Sequence, residues 1–81
     1  MATLLARREG WLMSSSATTA TAAELSAAAE AVAGYRGRVA ALVGPHLGTE
    51  REDLVAAIYE AERALRSAER VLQRAVKVAD N

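Results

Sequence analysis

The second half of the chain repeats an apolar position at alternating intervals of four and three residues. The repeat consists of Leu54, Ile58, Ala61, Leu65, Ala68, Leu72, Ala75 and Ala79. Such spacing brings all of these positions to one face of an α-helix. The pattern therefore predicts a helix from about residue 50 to 78. Its alanines would allow a second helix to approach closely.

The first half carries a matching pattern between residues 17 and 43. Its positions are Leu25, Ala28, Val32, Tyr35, Val39 and Leu42. Thr18 and Thr21 are poor helix formers, so this helix is expected to begin near residues 18–22. A second row of small residues comprises Ala29, Ala33, Gly37 and Ala41. This row favours close packing of another helix, with a kink around residues 34–37 as the alternative.

The segment "GPHLG" at residues 44–48 separates the two patterns. Gly44 suits a left-handed helix end, and Pro45 cannot continue a helix. Thr49 and Glu52 have the spacing of a capping box at the start of the next helix. Two helices joined by so short a link are antiparallel neighbours. The predicted fold is all-α: an antiparallel two-helix hairpin, coiled-coil-like, with an alanine-rich seam.

A single hairpin leaves apolar residues uncovered beside this seam, among them Val55, Val71, Val76 and Val78. A chain of 81 residues supplies no third layer to cover them. We therefore expect self-association into a four-helix bundle, as a dimer, with a second helical protein as the alternative partner. The predicted self-association seam is Leu54, Ile58, Ala61, Leu65, Ala68, Leu72 and Ala75.

The hairpin is expected to span residues 17–81, and residues 1–16 form a distinct N-terminal piece. Two interpretations of this piece stay open. It is a mobile extension, as chain termini often are, or it holds a short helix from Thr3 to Glu9 that ends at Gly10.

The composition argues against catalysis and bound cofactors. The chain has no cysteine and one histidine, which excludes thiolate chemistry and disfavours a zinc site. His46 lies in the turn, where solvation or capping of a helix end is the expected role, and no nucleophile or carboxylate accompanies it. Glu60, Glu62 and Glu69 lack the Glu-x-x-His spacing of a di-metal bundle. We expect a non-enzymatic interaction or scaffolding module without a cofactor.

A basic ridge follows the end of the second helix, away from the seam. It consists of Arg63, Arg66, Arg70, Arg74 and Lys77. A solvated face that matches the helix dipole is one interpretation. The other is a surface for nucleic acid or an acidic protein, in a small nucleic-acid-associated regulatory protein. Ten basic and ten acidic residues balance, which weakens the nucleic-acid interpretation.

The sequence predicts no membrane span and no targeting segment. The apolar stretch 17–43 contains Glu24, Glu30, Arg36 and Arg38, each costly in lipid. The first ten residues lack the apolar core of a signal peptide. A cytoplasmic location is the resulting expectation. Nine of the ten basic residues are arginine, which is typical of a GC-rich genome such as an actinobacterial one.

Residues 17–79, an alanine-rich helical hairpin in a chain of under 100 residues, resemble the small ESX-secreted proteins of the WXG100 type. The resemblance is one of size and architecture, and it implies a secreted partner protein. Where that family has a Trp-x-Gly turn, this chain has "GPHLG". The family's export signal places Asp or Glu four residues after a tyrosine. In this chain that position holds Arg63 after Tyr59 and Val39 after Tyr35.

Overall fold

The computed structural model describes the backbone of residues 2–81 and the side chains of residues 16–81. Helix α1 spans Ala2–Ala41, a short 3₁₀ helix spans Gly44–His46, and helix α2 spans Glu52–Asp80. The two long helices pack side by side in opposite directions as an antiparallel hairpin, and the molecule measures 75 × 13 × 13 Å. The predicted all-α hairpin is confirmed.

Helix α1 begins much earlier than the residues 18–22 expected from the sequence. The threonines near that point are tolerated because the Thr21 hydroxyl donates to the Ala17 carbonyl, 2.9 Å away and one turn back. This bond satisfies the hydroxyl inside the helix instead of diverting the backbone from it. The two interpretations of residues 1–16 stay predictions, because the side chains up to residue 15 lie outside the described part of the chain.

The turn differs from its prediction in two details. Residue Arg51, not Thr49, precedes α2, and no side chain caps that helix end. The Thr49 hydroxyl instead donates to the His46 carbonyl at 2.7 Å and accepts from the Arg51 amide at 3.2 Å. The predicted capping box is therefore wrong, because Thr49 is already used inside the turn.

The left-handed residue of the turn is Gly48, with φ 74°, and not Gly44. Gly44 instead opens the 3₁₀ helix, and the Leu47 amide donates to its carbonyl at 3.3 Å. Pro45 fits this short helix because its first turn needs no amide donor at that point. The left-handed residue is therefore the last residue of the "GPHLG" segment and not the first, as the sequence suggested.

The surface of α2 that faces α1 is a line of buried and half-buried residues, here called the inner stripe. It comprises Val55, Ile58, Glu62, Leu65, Glu69, Leu72, Val76 and Ala79. Opposite it, α1 contributes Ala22, Leu25, Ala29, Val32, Arg36, Val39 and Val43. Both lines alternate steps of three and four residues, as helices packed in a coiled-coil manner do. The most enclosed residues are Ala22, Ala29, Val43 and Ile58.

Half of each predicted stripe faces the neighbouring helix, and the other half is displaced by one residue. On α1 the positions Leu25, Val32 and Val39 face α2, but Tyr35 and Leu42 are 55% and 57% exposed. A wide apolar band offers a helix two flanks to bury, and apolar periodicity alone does not choose between them. The packed flank is the one that carries Arg36 on α1 and its carboxylate partners on α2, so ion pairing accompanies the choice.

The predicted row of small residues on α1 does not mark a close approach along its whole length. Ala29 is buried and Ala33 half-buried, whereas Gly37 and Ala41 are exposed. A Cβ atom added at Gly34 or Gly37 would meet nothing within 4 Å. Within the hairpin, these two glycines therefore have no packing role that compensates for their low helix propensity.

Candidate interaction surface

An ion cluster crosses the middle of the hairpin. The Arg36 Nε donates to Glu69 Oε2 at 2.9 Å, and its Nη1 lies 3.9 Å from Glu62 Oε1. Arg66 Nη2 donates to the same Glu62 oxygen at 2.6 Å. The two carboxylate side chains are only 13% and 17% exposed. Each cluster member already has an opposite charge beside it, which fits a structural cluster better than an acid–base pair.

The cluster has a specific effect on how the helices align. Glu62 and Glu69 are seven residues apart, and Arg36 lies between them on the opposite helix. Sliding either helix by one heptad would leave one carboxylate half-buried without its arginine. Buried polar groups of this kind fix the register of paired helices at a cost in stability. We conclude that the cluster sets the alignment of α1 against α2.

A second apolar line on α2 is only partly covered within the described part of the chain. This outer stripe comprises Leu54, Ala57, Ala61, Ala64, Ala68, Val71, Ala75 and Val78. It keeps the three-and-four spacing of a coiled-coil seam without a polar residue. Val71 is 54% exposed and Val78 69% exposed, and Ala57, Ala61 and Ala64 are exposed as well. Leu54, Ala68 and Ala75 are half-buried, so the line is partly covered at these three positions and exposed at the other five.

The outer stripe and the exposed apolar residues of α1 lie on the same side of the hairpin. On the opposite side, Ser26 and Ala33 of α1 share one shallow depression with Gln73 of α2. Helical periodicity then places Tyr35 and Leu42 on the side of the outer stripe. The guanidinium carbon of Arg38 lies 5.6 Å from the centre of the Tyr35 ring on that side. One long face of the hairpin thus carries exposed apolar residues of both helices, with Glu24 and Arg38 of α1 among them.

The predicted self-association seam is divided between the two stripes of α2. Its large residues, Ile58, Leu65 and Leu72, belong to the inner stripe and contact α1. Its remaining members, Leu54, Ala61, Ala68 and Ala75, belong to the outer stripe, where Ala61 is exposed and the other three are half-buried. The sequence reasoning merged two neighbouring rows into one.

The basic ridge is exposed at all five of its positions. Arg66 is engaged by Glu62, and Arg70 Nη2 donates to the Ser67 hydroxyl at 3.4 Å. Among the described residues, no carboxylate lies within 4 Å of Arg63, Arg74 or Lys77. The ridge faces away from the outer stripe at four of its positions, and the fifth, Arg74, borders the stripe.

The remaining polar candidates do not converge on one point. His46 is half-buried in the turn, and Tyr59 is 47% exposed on the side opposite the outer stripe. From residue 16 onward, no three His, Cys, Asp or Glu side chains form a group able to hold a metal ion.

Sequence reasoning missed two features of this surface. The first is the Arg36 cluster. Its signal in the sequence was that Glu62 and Glu69 are seven residues apart and therefore lie on the same side of α2. The second is the row Ala57, Ala64, Val71 and Val78. From the sequence, Val71 and Val78 were identified as uncovered residues beside the predicted seam, and the row was not recognised as half of a second seam.

No protein-family model, no curated protein and no solved structure matches this chain. No helix in the described part of the chain is both long and apolar enough to cross a membrane.

Proposed function

We propose that the chain is a non-enzymatic helical module that acts by self-association through its outer stripe. The single observation that carries the proposal is the outer stripe itself. It is an uncharged line with coiled-coil spacing, and Val71 and Val78 on it are more than half exposed. Seams of this kind occur between packed helices. The same observation supports a second helical protein as the alternative partner.

The energetics favour covering this face. Burying a large apolar side chain contributes roughly 1.5–3 kcal/mol relative to leaving it in water. Tyr35, Leu42, Val71 and Val78 are each more than half exposed, so each retains a large part of that contribution. A dimer contains two copies of every such residue. Association costs an estimated 4–15 kcal/mol, which is of the same order as the combined burial of this face.

A charge placed inside the outer stripe tests the proposal. We expect Ala64→Glu to weaken self-association at least tenfold, because the carboxylate would be buried at the seam without a partner. Ala56→Glu is the matched control, since it adds the same side chain to an exposed position of the same helix away from the stripe. Sedimentation equilibrium of both variants and the wild type measures the dissociation constants. Equal weakening by both variants would contradict the proposal.

The ridge supports a second candidate, a nucleic-acid-associated regulatory protein. The supporting observation is that Arg63, Arg74 and Lys77 are exposed and have no carboxylate close by in the described part of the chain. Phosphate contacts release counterions, so such binding weakens steeply with salt. The test is binding to DNA and RNA over a salt series by wild type and by the triple variant Arg63→Gln, Arg70→Gln, Lys77→Gln. Salt-independent binding, or none, would remove this candidate.

A cytoplasmic location is part of the main proposal. The resemblance to ESX-secreted hairpins supports a third candidate, a secreted partner protein. Detection of the chain in culture medium of intact cells would favour that candidate over the cytoplasmic one.

A further inference from the structure

The outer stripe of α2 is nearly symmetric about its midpoint, close to residue 66. Reversing the helix direction around that midpoint brings the stripe onto itself position by position. The superposed pairs are Leu54 with Val78, Ala57 with Ala75, Ala61 with Val71, and Ala64 with Ala68. Large residues thus meet at the two ends, and alanines meet at the centre. A seam with small residues at its centre allows the closest approach of two helix axes where they cross.

The charges beside the stripe have a similar symmetry, centred one residue further along the helix. The row that flanks the stripe on the solvent side contains Glu60, Ser67 and Arg74, seven residues apart. Reversal about Ser67, one residue from the midpoint of the stripe, superposes the acid of one copy on the base of the other and leaves the serine in the middle. Within the described part of the chain, neither Glu60 nor Arg74 makes an ion pair. Both charges are therefore available to a partner.

From these two symmetries we infer that α2 packs antiparallel against α2 of a second copy of this chain. The pairing is centred at Ser67, and Glu60 of each copy faces Arg74 of the other. This inference rests on the proposed self-association and specifies its geometry. Flanking charges of opposite sign set the orientation of paired helices, as in coiled coils.

A parallel pairing of the same helices is disfavoured by the same residues. It would place the flanking rows of the two copies on opposite sides of the seam, where Glu60 of one copy cannot reach Arg74 of the other. The antiparallel pairing also leaves both copies of α1 on the same face as the seam, because Tyr35 and Leu42 share that face with the outer stripe. The result is a four-helix bundle in which each helix has two seams.

Cross-linking tests the geometry directly, since the chain contains no cysteine. Three full-length variants are prepared: Ser67→Cys, Glu60→Cys and Arg74→Cys. Each is treated with a short bis-maleimide, and the second and third are also treated as an equimolar mixture. In the antiparallel pairing, the two copies of residue 60 are separated by about 21 Å, because 14 residues of helix rise roughly 1.5 Å each. Exposed ion pairs contribute little affinity, so the variants stay associated at high protein concentration.

The expected result is efficient cross-linking of Ser67→Cys with itself and of Glu60→Cys with Arg74→Cys. Glu60→Cys alone and Arg74→Cys alone should give little product. Efficient cross-linking of Glu60→Cys or of Arg74→Cys with itself, or no cross-link between residues 60 and 74 in the mixture, would overturn the inference. A dimer by light scattering without any cross-link would overturn this geometry but leave self-association standing. A monomer by light scattering would overturn both this geometry and the proposed self-association.

Discussion

Replacing Arg36 by methionine should destabilise the hairpin more than any other change of an arginine. The substitution keeps a long apolar stem but removes the charge that faces Glu62 and Glu69. Glu62 keeps its 2.6 Å contact with Arg66, whereas Glu69 loses its only ion pair among the described residues. A carboxylate that is 17% exposed is then left without a counter-charge.

The size of the destabilisation depends on how far the ion cluster is buried. Breaking a fully buried ion pair by removing one partner costs about 3–5 kcal/mol, and an exposed pair contributes about 0–1 kcal/mol. The Arg36 side chain is 32% exposed and its partners are 13% and 17% exposed, so the cluster lies between these limits. We expect a loss of about 1–3 kcal/mol in the free energy of unfolding.

Urea unfolding followed by circular dichroism at a fixed protein concentration measures this loss. Arg63→Met is the matched control, because Arg63 is an exposed arginine that faces away from the outer stripe and has no carboxylate within 4 Å among the described residues. It should change stability by less than about 0.5 kcal/mol. A loss for Arg36→Met no larger than that of the control would refute the claim that the cluster aligns the helices. Adding Glu69→Met to Arg36→Met should recover most of the loss, since an apolar pair replaces an unpaired carboxylate.

Two further predictions follow from the glycines and from the turn. Gly34→Ala and Gly37→Ala should each raise the free energy of unfolding by up to about 1 kcal/mol, because both are helical and an added Cβ meets nothing within 4 Å. By contrast, Gly48→Ala should lower the free energy of unfolding by about 1 kcal/mol, because the φ of 74° at this position disfavours a side chain. Urea unfolding measures all three changes, and changes of the opposite sign would contradict these assignments. The hydrogen bond from Arg51, followed by one from the Leu54 amide, holds the pKa of the Asp53 carboxyl below its usual 3.8. A lowered folded-state pKa stabilises the fold above the unfolded pKa, and this contribution is lost as pH falls through the folded value. Arg51→Gln should raise the pKa of Asp53 in an NMR titration, and an unchanged titration would contradict the assigned cause.

The hairpin itself was predictable because its signals are local. Pro45 and the glycines around it end one helix, and the apolar spacing on either side has a helical period. Such signals need no knowledge of the partner helix. The helix ends were less predictable, since α1 continues through Thr21, whose hydroxyl donates to the Ala17 carbonyl inside the helix, a bond that propensity does not include.

The surface was only half predictable for a different physical reason. Both helices carry apolar residues on each side of their central row. The helical period therefore identifies the central row but does not show which of the two flanking rows packs against the other helix. The packed flank carries an ion cluster in which Arg36 meets Glu62 and Glu69, which lie 26 and 33 residues further along the chain. Only a pairing of the two helices in register reveals that these charges meet. Once the inner flank is assigned, the outer stripe stands out as the row left over.

The central claim is that a second copy covers the outer stripe, and multi-angle light scattering of the wild-type chain tests it most directly. Measurement across a concentration series into the high micromolar range gives the mass in solution, and circular dichroism on the same samples reports the helical fold. We predict a mass that rises to twice that of the chain while the helical signal is retained. A folded, helical chain that keeps the mass of one copy at every concentration would contradict the claim.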